Sequence, residues 1–268
     1  MNNICLLLLM IFCTMSTALA SDQLVSNVVQ VTTEEYPPFT TTTLKHNGLM
    51  SHIVSEAFLL ENITVEYIFM PAARSYSAAG NGLVDGTLPW AKSDDREEHF
   101  LYSEPIFDVG WETFYFRKDS KLNWDSSVRD YTTLKGLTIG AVISYDYGDE
   151  FRAAEKNNVF KVVRVSRLKQ LFDMLLSGHV DMVISKEFVA DYTLQNEFTQ
   201  KQIAQLDSSP ENNAPPSYDY LLFSKRKPSA KYYLNALNSG LKKLHFSGRY
   251  YELIENYKKG EYFIPPKP

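Results

Sequence analysis

Apolar residues recur along the chain in two rhythms, alternation over short β-branched runs and a spacing of three to four over longer ones. Val28 to Thr32 predicts an apolar strand. Glu34-Glu-Tyr-Pro-Pro-Phe39 stops it, because paired prolines remove backbone donors and hold the chain extended. Met50, Ile53, Val54, Ala57 and Phe58 form one face of a helix that ends near Glu61-Asn62, and Thr64 to Met70 predicts the next strand. Beyond Pro71, a helix over Ala72 to Gly80 leads to Gly82 and a short strand, Gly86 to Leu88. Ser93 is then placed to cap a helix, with Asp94 and Asp95 in the first turn, where the dipole favours acids.

Trp111 to Phe116 reads as a strand that carries the chain into a second unit. There the pattern predicts a strand at Thr138 to Val142, a helix from Gly148 to Lys156, a strand at Lys161 to Val165, and a helix opened by Ser166. Leu168, Leu171, Phe172 and Leu175 form the buried stripe of that helix, and Gly178 is its C-cap. Ser208 to Ser217 is polar and Pro-rich, as a surface linker would be. Tyr218 to Ser224 returns as a strand, and Tyr233, Leu234, Leu237, Leu241 and Leu244 mark a long helix that Gly248 breaks before a last short one.

One motif occurs twice. Gly82-Leu-Val-Asp85 leads through Trp90 to Ser93-Asp-Asp-Arg96, and Gly178-His-Val-Asp181 leads to Val183-Ile-Ser-Lys186. Each copy ends a helix at glycine, continues into an apolar strand and brings polar residues to the strand's carboxyl end, where open α/β sheets hold ligands. The expectation is an α/β protein of two similar lobes sharing a cleft.

Length agrees, since 268 residues make about two lobes of roughly 100 to 150 residues. The net charge of −5 and the lack of Lys/Arg clusters argue against a nucleic-acid partner. Residues 1–20 read as a removable secretory signal peptide: Ile4 to Phe12 is apolar but shorter than the ~20 residues of a membrane span, and Ala18-Leu19-Ala20 supplies a small-x-small cleavage site. Both cysteines, Cys5 and Cys13, fall in that segment, so an exported product has no disulfide and no thiolate metal site.

Among candidate binding residues, Arg96 comes first, because a guanidinium one turn into a helix can hold a carboxylate through two parallel hydrogen bonds. Pairing with Asp94 or Asp95 is the plain alternative. Tyr36, Phe39 and Trp90 are candidate pocket walls or simply core. Ser144 and Tyr145, on the loop after the second lobe's first strand, are candidate cleft residues or an ordinary turn. Lys186 is a candidate second cation or a solvated helix start, and Arg74 is a weaker one. No nucleophile elbow, His-Glu-x-x-His or phosphate-cradling glycine loop is present, and the five histidines are scattered, so neither catalysis nor a metal or other cofactor is expected.

The order Tyr36-Pro-Pro-Phe39, Gly82-x-x-Asp85, Ser93-x-x-Arg96, Phe100-x-x-Ser103-x-Pro105, Leu134-Lys-Gly136 and Gly178-x-x-Asp181 resembles the family 3 extracellular solute-binding proteins, the periplasmic receptors of polar amino acid transporters. The resemblance covers nearly all of the exported chain. It implies a type II periplasmic-binding-protein-like fold, with two α/β lobes joined by two hinge strands and a ligand cleft between them. Residues 21–115 and 219–268 would form the first lobe and 116–218 the second. It also implies a compact periplasmic monomer that takes one carboxylate-bearing solute and hands it to an inner-membrane transporter.

By the same resemblance Arg96 grips the carboxylate, Ser93 assists it and Tyr36 is an aromatic wall. The chain departs from the pattern at Ala91, where a threonine is common, and at Ile143 and Ser144. It departs most at Lys186, where the family offers an aspartate to the ligand ammonium. Either Glu187 or Glu34 then supplies the acid, or the ligand has a second anionic group, as a dicarboxylate has. Pro89-Trp-Ala-Lys92 resembles a subset that acts without a dedicated transporter, which leaves a receptor module for a membrane sensor open. An exported dehydratase on the same scaffold is the enzymatic alternative.

Overall fold

The computed structural model describes residues 26–110, 112–122, 131–143, 145, 147–209 and 217–263. The signal segment, Trp111, Ser144 and the middle of the predicted linker lie outside these residues.

The first sheet begins with β1 (Val28–Thr33), α1 (Leu49–Leu59), β2 (Thr64–Phe69), α2 (Ala72–Gly80) and β3 (Gly86–Ala91). A single helical turn, α3 (Asp94–Glu97), and the short strands β4 (Phe100–Tyr102) and β5 (Phe107–Asp108) follow. The second sheet is built from β6 (Glu112–Arg117), β7 (Thr138–Val142), α4 (Gly148–Lys156), β8 (Lys161–Val165), α5 (Leu168–Leu176) and β9 (Met182–Lys186). After α6 (Glu187–Glu197), α7 (Gln200–Ile203) and β10 (Leu206–Ser208), the chain returns with β11 (Tyr218–Ser224), α8 (Ala230–Ser247) and α9 (Arg249–Lys258).

The sheets are topological copies. One runs β2-β1-β3-β11-β4, with β5 also on β11, and the other, from its opposite edge, runs β8-β7-β9-β6-β10. In each, three parallel strands are followed by one antiparallel strand that arrives from the other lobe, β11 or β6. The chain thus passes between lobes at 108–112 and again before Tyr218, giving two crossings. All of β6 belongs to the second sheet, so the change of sheet precedes Glu112 rather than falling at 115–116.

The repeated motif does the same work in both copies. Gly82 and Gly178 take left-handed φ values of 71° and 77°, which favour glycine. Three residues on, Asp85 Oδ2 accepts from the backbone N–H of Gln30 at 2.9 Å, and Asp181 Oδ2 accepts from that of Thr138 at 2.8 Å. Each aspartate thereby ties the start of its strand to the neighbouring parallel strand. These acids are structural and point away from the cleft end of the sheets.

Most predicted elements match within two residues. Ser166 does not open α5, whose N-cap residue is Arg167. Sequence periodicity gave no α6, because Phe188, Val189, Ala190, Tyr192 and Leu194 spread around the helix: Phe188 and Tyr192 face one lobe while Val189, Ala190 and Leu194 are buried in the other. The first lobe is closed by α8 against α1, where a Cβ on Gly240 would lie 1.9 Å from the carbonyl oxygen of Ala57.

Candidate functional site

The parallel strands of both sheets direct their carboxyl ends at one cavity of about 290 Å³ between the lobes, at the small end of the range for small-molecule sites. The first lobe contributes Glu34 and Tyr36 after β1, Pro89 to Ser93 at the end of β3, Arg96, and Asp219 of β11. The second contributes Glu112 at the start of β6, Tyr145 and Tyr147 after β7, and Lys186 and Val189 after β9. Strand ends serve here because their last residues leave the hydrogen-bond ladder while the sheet still fixes their position.

Six sequence candidates therefore share one cavity: Tyr36, Trp90, Ser93, Arg96, Tyr145 and Lys186. Phe39 does not line it. Its ring is fully buried, 5.3 Å from Tyr36, 5.5 Å from Phe107 and 5.9 Å from Phe188, so it supports the wall from behind. Arg74 and Glu187 are exposed and outside the lining. Ser144 is not among the described residues.

Arg96 is not committed to the acids beside it. One Nη donates to the Ala91 carbonyl, and the guanidinium carbon lies 5.0 Å from the centre of the Trp90 ring. Stacking and one carbonyl restrain the plane of the fork, and Arg96 is part of the cavity lining. Ser93 occupies the N-cap of α3, but its hydroxyl donates to Asp95 Oδ1 at 2.8 Å instead of capping the helix. With one turn only, α3 adds little dipole, so the guanidinium itself supplies the positive pole.

Lys186 is also partnered. Its Nζ is 3.3 Å from Glu112 Oε1 and donates to the Gly110 carbonyl at 3.0 Å. Sequence inspection missed Glu112 and Asp219, which reach the cavity because β6 and β11 begin where the chain has just passed from one sheet to the other. Burial pushes the Asp219 carboxyl up to about 6, with Glu112 adding to the rise and Lys186 and Arg96 opposing it. Burial and then Asp219 raise Glu34 above the usual carboxylate range. Burial likewise raises the phenols of Tyr36, well above the ordinary value, and of Tyr145, to about 12, so both stay neutral.

The lobes touch around this cavity. Tyr36 meets Tyr145 edge-on at 5.6 Å, and Phe188 of α6 inserts between Phe39, Phe107 and Tyr257 of the first lobe. Thr43 and Tyr192 join hydroxyls across the same boundary at 3.4 Å. Among the described residues no group of three His, Cys, Asp or Glu could hold a metal ion, and no helix is long and apolar enough to cross a membrane.

Two lobes of like topology, two crossings and a charged cavity between them define a type II binding-protein fold. The chain belongs to the bacterial extracellular solute-binding proteins, family 3, whose pattern matches residues 28–260. No curated protein matches it. Solved structures with the same fold include an ancestral arginine-binding protein bound to arginine, at 19% identity and TM-score 0.66, covering 86% of this chain and 98% of that one. A mutant of ArgBP from T. maritima aligns at 20% identity and TM-score 0.65, covering 87% and 96%. A histidine kinase sensor domain similar to periplasmic binding proteins aligns at 16% identity and TM-score 0.65, covering 85% and 95%.

Proposed function

We propose that this chain is a periplasmic receptor that captures one small carboxylate-bearing solute between its lobes and delivers it to an inner-membrane transporter. The observation that carries the reading is the position of Arg96, stacked on Trp90 in the lining of a cavity formed from both lobes, with one protein acceptor for its guanidinium among the described residues. A carboxylate on that fork would be held by charge-assisted bonds in a site that the aromatic walls keep dry. Closure is a hinge motion about the two crossings, and Tyr145 and Phe188 are the second-lobe groups that meet the first lobe as it closes. The chain acts by binding, as a monomer, after removal of residues 1–20.

The fold shared with a histidine kinase sensor domain supports a second reading, in which the closed form is presented to a membrane sensor. Solute capture is common to both, so one experiment tests the shared core. A thermal-shift screen of residues 21–268 against amino acids, 2-oxo acids and dicarboxylates should find a class that stabilises the protein. Ligand at a hundredfold its Kd adds about 2.7 kcal/mol. The shift should vanish in Arg96→Ala, and stabilisation that survives this substitution would remove the carboxylate assignment.

A further inference from the structure

The charged groups of the cleft are unequally partnered. Lys186 is held by Glu112 and the Gly110 carbonyl, and Lys92 reaches outward to Glu97 at 3.4 Å, both side chains more than half exposed. Two acids are left. Neither Glu34 nor Asp219 has a hydrogen-bond donor or an ion-pair partner for its carboxylate among the described residues. Asp219 is 7% exposed, sits in β11 opposite Ala91 of β3 on one side and Phe107 of β5 on the other, and lines the cavity.

Asp219 is buried as a residue and its carboxylate opens on the cavity without meeting a protein donor, a costly arrangement that native structures retain where a partner arrives. We infer that Asp219, assisted by Glu34, is the cation-binding pole of the cleft and takes the ammonium of a solute whose carboxylate lies on Arg96. This rests on the solute-binding reading and narrows it. The acid comes from the hinge-side strand β11, and the second-lobe position the family uses for it holds Lys186, which Glu112 already neutralises. A dicarboxylate is disfavoured, because its second anionic group would meet Asp219 and Glu34 with no cation left to receive it. Arg96, Glu34 and Asp219 all belong to the first lobe, so one lobe reads both charged ends of the solute and the second lobe covers it.

Isothermal titration calorimetry of the intact protein with the protein L-amino acids, their 2-oxo counterparts and succinate tests this. The tightest amino acid should bind at least about 30-fold better than its 2-oxo acid, the loss expected when a buried charge pair is broken. Asp219→Asn should bring the two within about threefold by weakening the amino acid alone, and Glu34→Gln should act in the same direction to a smaller extent. The folding of each variant is checked by its unfolding transition. Should Asp219→Asn fail to fold, the wild-type comparison together with Glu34→Gln decides. Equal binding of amino acid and 2-oxo acid, or preference for succinate unchanged in Asp219→Asn, overturns the inference while leaving solute capture intact. Folded wild type that binds none of these probes overturns both.

Discussion

Lys186 Nζ and Glu112 Oε1 lie 3.3 Å apart in the lining of the cleft, with the two side chains 18% and 13% exposed. The pair joins the end of β9 to the start of β6, the strand that enters the second lobe. Lys186→Ala should leave Glu112 half-desolvated without its cation, lowering the urea-unfolding free energy by about 2 kcal/mol. Solute selectivity should change little. A variant that is as stable as wild type yet gains a different ligand class would show that Lys186 faces the solute.

Arg96 is only partly buried, and its side chain makes a single hydrogen bond among the described residues. Arg96→Ala should therefore shift the unfolding free energy by less than about 1 kcal/mol. Solute affinity should fall at least about a hundredfold, as for a charge-assisted bidentate contact removed from a dry site. Calorimetry on the folded variant reads both quantities.

Because Asp219 binds its proton more tightly folded than unfolded, its ionisation destabilises the empty protein as pH rises from about 4 to about 6. Above that window the penalty is constant. The neighbours that set it are Glu34, Glu112, Lys186 and Arg96. The unfolding free energy of wild type minus that of Asp219→Asn should fall across the window by about 1 to 3 kcal/mol. The difference curve is needed because His52, lowered to about 4 by burial, has the opposite slope: its neutral form stabilises the protein above pH 6.5 and that stability is lost as pH falls. A flat difference curve would show that Asp219 is not desolvated.

Phe188 fills the junction of the lobes against Phe39, Phe107 and Tyr257. Phe188→Ala should weaken the closed arrangement more than the fold of either lobe, raising Kd about tenfold or more. Small-angle scattering with ligand should report a larger radius of gyration than wild type. An unchanged radius and Kd would place closure on other contacts.

In Gly240→Ala the new methyl would collide with the Ala57 carbonyl oxygen, a backbone atom that cannot rotate away. The helices α1 and α8 must separate, and unfolding should become easier by about 3 kcal/mol. Chemical denaturation of the variant measures this directly.

Much of the architecture was legible in the sequence because it is local. Gly82 and Gly178 need left-handed backbone, Asp85 and Asp181 clamp neighbouring strands, and alternation marks β1, β7, β8 and β11 regardless of distant contacts. Residues delivered at the ends of β1, β3 and β7, namely Tyr36, Trp90, Arg96 and Tyr145, could be named because a strand's carboxyl end follows from its own pattern. Helix α6 was not legible, since its apolar residues serve two lobes and no single face shows the period. Asp219 and Glu112 were hidden for a related reason. Each stands at the start of a strand that follows a crossing between lobes, and nothing near it in sequence signals a cavity. The partners of Lys186 are 74 and 76 residues away, at Glu112 and Gly110. The sequence by itself determined the repeated α/β units and the placement of Arg96 just beyond a strand's carboxyl end. Only the tertiary structure decided which charges were already paired, because pairing depends on distances that chain crossings set.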